Sequence, residues 1–189
     1  MIKKNIVAAA FMLAGLTLAA SASAQIYVGA ALGQAKWDID CAGATACKSS
    51  DTSYKFIGGY NFTRIFGLET SYFSLGELSA SNATTKGEMR AKGIEFSGVI
   101  RTPQIVGLSG FAKLGVAAVK GETNGTVGTL SAVSSKSTAQ AVYGLGATYL
   151  FSDKTSLRAE FEQRKVKVSD ISNATATVRN FSIGIQASY

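Results

Sequence analysis

The sequence predicts an all-β chain, an eight-stranded antiparallel up-and-down transmembrane β-barrel, and three observations predict it. Apolar residues recur at every second position, most cleanly in the last ten residues, where Phe181, Ile183, Ile185, Ala187 and Tyr189 alternate with Asn180, Ser182, Gly184, Gln186 and Ser188. That period belongs to a strand with one apolar and one polar face. Eight such segments follow one another, and the connections between them run long, short, long, short, long, short, long. The polar faces also carry charges, which suits a barrel with lipid outside and a polar lumen inside.

The N-terminus sets Lys3 and Lys4 before an apolar run from Ile6 to Ala20 and an Ala22-Ser23-Ala24 site. A short cationic start, an apolar core and an A-x-A site describe a cleaved secretory signal peptide. The run is short for a retained span of about 20 residues. Residue 25 is Gln rather than Cys, so a lipidated N-terminus is not expected. The expected organisation is therefore a signal peptide over 1–24 and one barrel domain over 25–189. With no other long apolar run, membrane insertion has to use strands.

Composition narrows the chemistry. The chain of 189 residues has a formal net charge of +7, one Pro, 20 Gly and no His. Without His there is no Ser-His or Cys-His catalytic pair and no His-ligated metal. The two cysteines, Cys41 and Cys47, are close in sequence. In an exported chain a disulfide closing this small loop is expected. A metal site would need more ligands than this stretch supplies, and no cofactor is expected.

The first strand is expected from Ile26 to Ile39, followed by a polar connection from Asp40 to Asp51 that holds both cysteines. The second, Thr52 to Phe62, aligns Tyr54, Phe56, Gly58, Tyr60 and Phe62 on one face. A short link at Thr63-Arg64-Ile65 leads to Phe66–Leu78, where Leu68, Thr70 and Tyr72 oppose Glu69 and Ser71. After a second long connection, Ser79–Glu88, the segment Met89–Arg101 sets Ile94, Phe96, Gly98 and Ile100 against Glu95, Ser97 and Arg101. A brief link with Pro103 leads to Ser109–Gly121, where Leu114, Val116 and Ala118 oppose Lys113 and Gly115. The third long connection, Glu122 to about Lys136, is rich in Gly, Ser and Thr. Ser137–Phe151 aligns Ala141, Tyr143, Leu145, Ala147, Tyr149 and Phe151. The turn Ser152-Asp153-Lys154 is tight. Thr155–Val168 sets Leu157, Ala159 and Phe161 against Arg158, Glu160 and Glu162, and a fourth polar loop, Ser169–Thr175, precedes the final strand.

An even strand number with short turns at one end and longer loops at the other is the pattern of outer-membrane barrels, with both termini at the periplasmic end. A soluble up-and-down barrel would instead put apolar residues inside. Its narrow interior would then have to hold the charges against apolar walls. Charged faces inside and apolar faces in lipid meet both constraints.

The residues also carry a family resemblance. Gly58-Gly59-Tyr60, Gly67-Leu68-Glu69, Tyr72 and Leu75-Gly76 resemble the second and third strands of OmpA-like outer-membrane barrels. Tyr27-Val28-Gly29-Ala30 with Leu32-Gly33 resembles their first strand. The strand ending at Tyr189 is similar to the signal by which such barrels are recognised by the assembly machinery. The resemblance covers about residues 25–189. It does not extend to a periplasmic peptidoglycan-binding domain, so cell-wall anchoring is not carried over. The short form looks like the opacity-type surface proteins, and the resemblance implies loops that face outward.

Two sets of side chains are candidate sites. Glu69, Glu95, Lys113, Arg158, Glu160 and Glu162 share the polar faces and are expected to pair in the lumen, since an unpaired charge there would cost several kcal/mol. Such a network could be a structural plug or a gate. Lys36, Arg90, Lys92, Lys120, Lys165, Lys167 and Arg179 fall near the loop end on the lipid-facing side of their strands. They are expected to contact lipopolysaccharide phosphates, or else to snorkel into water. Five N-x-S/T matches, at Asn61, Asn82, Asn124, Asn173 and Asn180, read as chance composition.

The expected function is that of a non-enzymatic outer-membrane surface barrel, structural or adhesive, with extracellular loops open to a ligand or host surface. The alternative is a small ion or solute channel gated by the lumen charge pairs. A lipid-active enzyme is disfavoured by the missing His. Nucleic acid is not an expected partner, because no aromatic and basic platform of a soluble domain is present.

Overall fold

The computed structural model describes residues 25–38, 45–82, 85–127, 130–167 and 175–189. The expected signal peptide, 1–24, lies outside them. Nine strands are present among the described residues: β1 Gln25–Asp38, β2 Ala46–Lys48, β3 Ser50–Asn61, β4 Phe66–Ser81, β5 Thr85–Arg101, β6 Leu108–Val127, β7 Leu130–Ser152, β8 Thr155–Lys167 and β9 Thr175–Ser188. All pairings are antiparallel. β1 bonds β3 on one side and β9 on the other, and β4 pairs with β5, so β1 and β3–β9 close into an eight-stranded barrel. Closure removes every edge within the membrane, which no sheet can leave open there.

Alternation sets the two faces. On β1, Tyr27, Ala31, Ala35 and Trp37 are buried, while Val28, Ala30, Leu32 and Lys36 point outward. Leu32, Phe96 and Leu114 are 67%, 63% and 69% exposed, which is a lipid face rather than a failed core. Tyr54 and Tyr72 mark its outer margin, with ring centroids 6.4 Å apart. Phe66, Phe151 and Tyr189 stand at the turn end. From Tyr54 on β3 to Phe62, one residue past its end, there are eight residue steps, roughly 27 Å at strand rise, on the order of the ~25 Å apolar band of such barrels.

The eight expected barrel strands are present, but most are longer than alternation alone indicated. β6 and β7 stay in register from Leu108↔Tyr149 to Val127↔Leu130, so most of the expected Glu122–Lys136 connection is ladder. β4 and β5 likewise stay paired to Ser81↔Lys86, inside the expected Ser79–Glu88 connection. Once the membrane segments fix the register, the backbone ladder continues through a stretch rich in Thr, Ser and Gly. The expected Asp40–Asp51 connection contains β2, which pairs with Ser79–Ser81 of β4. Cys47 lies on β2 and is not a free thiol; its expected partner Cys41 is outside the described residues, as is most of the Ser169–Thr175 loop.

A bulge interrupts the β4–β5 register between Ser74 and Glu77. Gly76 sits there at φ +73°, where a side chain would be strained and would also meet Asp51. Asp51 caps the bulge, since Glu77 N–H donates to its Oδ2 at 2.7 Å.

Candidate functional site

The lumen has three storeys. At the outer end Ala35, Trp37, Phe73, Leu75, Ala91, Ala117, Val119 and Val178 form one apolar cluster inside the barrel. The sequence indicated a polar lumen throughout, and the outer storey corrects that. Strands β1 and β4 carry Trp37, Phe73 and Leu75 inward at the same level, and their bulk excludes water there.

Below the apolar cluster lies a lattice of charges. Every one of the six expected lumen residues is buried: Glu69, Glu95, Lys113, Arg158, Glu160 and Glu162. Lys55 on β3 and Arg164 on β8 join them, each about as buried as the rest. Parity could have found both. Lys55 lies between outward Tyr54 and Phe56, and Arg164 continues the series 158, 160, 162. The described lattice thus sets four cations against four glutamates.

The pairs interlock. Arg158 Nη1 donates to Glu69 Oε2 at 2.7 Å and Nη2 to Glu69 Oε1 at 3.1 Å. Arg158 Nε also donates to Glu160 Oε2 at 3.2 Å. Lys55 Nζ lies 2.5 Å from Glu162 and 3.2 Å from Glu160. Lys113 Nζ touches Glu95 at 2.6 Å, Glu160 at 2.7 Å and Glu162 still more closely, and stands 3.7 Å from Glu69. An ammonium has three protons. Three carboxylates crowd it, and the fourth is the one Arg158 holds. Arg164 Nη2 reaches Glu95 at 3.3 Å and Glu162 at 3.2 Å, and its guanidinium lies 4.0 Å over the Phe73 ring. Arg164 is therefore the joint between lattice and apolar cluster.

Tyr27 Oη donates to Glu69 Oε2 at 3.0 Å, and Asn180 Nδ2 donates to Glu162 Oε2 at 3.3 Å. The Tyr27 ring is seated against Gly59, where any Cβ would collide with it. At the turn end the lumen opens into a vestibule of about 740 Å³.

The expected outer collar divides into two groups on opposite sides of the barrel. Arg90, Lys92 and Lys120 stand on β5 and β6 beside Glu77 and Glu122. Arg90 Nη2 lies 2.6 Å from Glu77, and Glu122 lies 3.0 Å from Lys120 and 3.5 Å from Lys92. The Lys120 ammonium holds the Glu122 carboxyl below its ordinary range. Lys36 and Arg179 are direct cross-strand partners on β1 and β9, and Lys165 stands on neighbouring β8. Arg179 Nη2 lies 3.2 Å from Asp38 Oδ2. No ion pair is described for Lys36 or Lys165 among the described residues. The side chain of Lys167 lies outside the described part.

A family model described as an outer membrane protein beta-barrel domain matches residues 6–189. No curated protein matches by sequence. Among solved structures, Ail, the attachment invasion locus protein of Yersinia pestis, is 15% identical with a TM-score of 0.59, covering 88% of this chain and 99% of its own. Neisserial surface protein A is 14% identical with a TM-score of 0.60, covering 86% and 96%. OprG of Pseudomonas aeruginosa is 13% identical with a TM-score of 0.51, covering 89% and 96%. At these identities the likeness is one of fold.

Proposed function

The chain belongs to the outer membrane protein beta-barrel domain family, and on that premise we propose that it is a non-enzymatic surface barrel of the outer membrane whose lumen is sealed. Its work is then done outside the lumen, by the lipid-facing wall and by the strands that rise past it. The observation that carries this reading is the filled lumen. Trp37, Phe73 and Leu75 are each 1% exposed, directly above a lattice in which every glutamate is engaged by a cation. An ion crossing it would have to displace both layers.

The outward hairpins support a contact role. The β6–β7 ladder continues seven residues past Lys120, to Val127, well clear of the lipid-facing Leu114 and Val116. Its sequence there is rich in Ser, Thr and Gly, a composition suited to an extracellular ligand or host surface. Ail, of like fold, is an attachment protein, and adhesion is the role we propose by analogy. The collar residues Lys36, Arg90, Lys92, Lys120, Lys165, Lys167 and Arg179 are proposed to meet lipopolysaccharide phosphates at the outer leaflet.

Conductance of the refolded protein in planar lipid bilayers tests the sealed lumen. A silent membrane is expected. Discrete steps that change on Glu69→Gln would overturn the reading in favour of a small channel gated by the lattice.

A further inference from the structure

We propose that the vestibule at the periplasmic mouth binds the oxyanion of a small solute, a carboxylate or a phosphate, through Arg101 and Arg64. Its volume of about 740 Å³ lies within the range of small-molecule sites. Among the described residues its wall carries these two guanidinium groups and no carboxylate side chain.

Arg101 is held ready for such a group. It ends β5, and its Nε donates to Asn61 Oδ1 at 3.2 Å. Its guanidinium carbon lies 4.8 Å from the Tyr27 ring centre and 5.8 Å from that of Phe111. Those contacts fix the plane of the fork, with Nη2 turned into the protein and the residue as a whole half-buried on the vestibule wall. The four lattice cations each have a glutamate, whereas no ion pair is described for Arg101. A guanidinium with no carboxylate beside it on the vestibule wall attracts an anion, and a planar fork matches a carboxylate or phosphate best.

The surroundings complete the site. Gln186 and Ser156, both buried, form its floor. Gln186 is itself fixed, because its Oε1 accepts from Arg158 Nη1 at 3.3 Å. Arg64, on the exposed turn between β3 and β4, adds a second cation at the lip. Above the floor the lattice closes the lumen, so a bound solute docks from the periplasm without passing through.

The test is an amide-resolved NMR titration of the refolded protein in maltoside micelles, with inorganic phosphate and N-acetylglycine as separate probes. Saturable shifts at Asn61, Thr102 and Gly110 are expected with at least one probe, and the probe that binds tells phosphate from carboxylate. Arg101→Gln should weaken binding about tenfold or more, and Arg64→Gln by a smaller factor. Heat-modifiable electrophoretic mobility identifies folded barrels. Should Arg101→Gln fail to fold, Arg64→Gln, altered only on an exposed turn, decides the matter. No saturable shift with either probe, or unchanged affinity in the folded variants, would overturn the proposal.

Discussion

Arg158 on β8 and Glu69 on β4 stand on diametrically opposed strands of the barrel and meet fork to fork, at 2.7 Å and 3.1 Å. The pair ties the two walls together through the lumen, 89 residues apart in the chain. Both charges are out of water, so their mutual attraction has to offset a desolvation cost of several kcal/mol per ion. Removing one partner leaves the other stranded. We expect Arg158→Met to destabilise the barrel by about 3–5 kcal/mol, read from urea unfolding in lipid vesicles with Trp37, the single tryptophan, as the fluorescent reporter. Glu69→Leu combined with Arg158→Met should cost much less than the sum of the single changes. Strict additivity would show that the two side chains do not act as a pair.

Lys113 is the hub, since it alone approaches all four lattice glutamates. Four cations balance four glutamates, so Lys113→Met leaves one negative charge in excess and three carboxylates crowded together. Its loss should exceed that of Lys55→Met, because Lys55 serves only Glu160 and Glu162. Adding Glu95→Gln to Lys113→Met restores neutrality and should recover part of the stability in the same unfolding assay. If Lys55→Met proves the more damaging change, the hub is misplaced.

How far the sequence could reach follows from these same residues. Period-two alternation assigns Glu69, Lys113 and Arg158 to the lumen, because each has the opposite parity to the outward Leu68, Leu114 and Leu157 beside it. It does not say that Arg158 takes Glu69, since that depends on how two opposed strands are staggered. Lys55 and Arg164 are legible by the same parity. Phe73 and Leu75 were not legible in the same way. With Tyr72 they make both faces of β4 apolar there, and only closure of the barrel shows which face turns inward. The length of β6 and β7 escaped for another reason: the apolar–polar alternation lapses over Glu122–Lys136, although the backbone ladder continues.

The β5–β6 turn carries a local strain that can be relieved. Ile105 and Leu108 exchange both backbone hydrogen bonds, at 2.9 Å each, around Val106 and Gly107. Both central residues have positive φ, 50° for Val106 and 81° for Gly107. This is the turn that Asn-Gly fits best, and a β-branched residue is costly in the left-handed region. Val106 is 93% exposed, so its side chain contributes no packing. Val106→Asn should therefore raise stability by about 1 kcal/mol. An unchanged or lowered urea midpoint would count against strain at this position.

The bulge at Gly76 gives the outer rim a pH dependence. Lys48 and the Glu77 N–H both bond Asp51, at 2.7 Å each, and the bond from Lys48 is the main cause holding its carboxyl below the ordinary value. A carboxyl lowered in the folded state adds stability that is present above its unfolded pKa and lost as pH falls through the folded one. The group is partly exposed, so the effect is at most about 1 kcal/mol. Wild type should lose this increment on acidification below roughly pH 4, whereas Asp51→Asn should lack it throughout. Parallel acid limbs for the two proteins would assign the pH dependence to other groups.

The two halves of the collar should differ in anion binding. On β5 and β6, Glu77 and Glu122 already neutralise Arg90, Lys92 and Lys120 in part. On β1, β9 and β8, Lys36 faces Arg179 directly across the ladder. Like charges opposed in this way destabilise a sheet unless an anion lies between them. Asp38 meets Arg179, and no carboxylate is described against Lys36 or Lys165. A lipid phosphate at this level would complete the set. Lys36→Ser with Lys165→Ser and Arg179→Ser should then reduce lipopolysaccharide binding to the refolded barrel severalfold, and more than Arg90→Ser with Lys92→Ser and Lys120→Ser. High salt should shrink the difference, because exposed charges are screened beyond about 10 Å at 0.1 M. Equal losses from the two triple variants would mean that net charge alone governs binding, and no loss from either would remove the collar from lipid recognition.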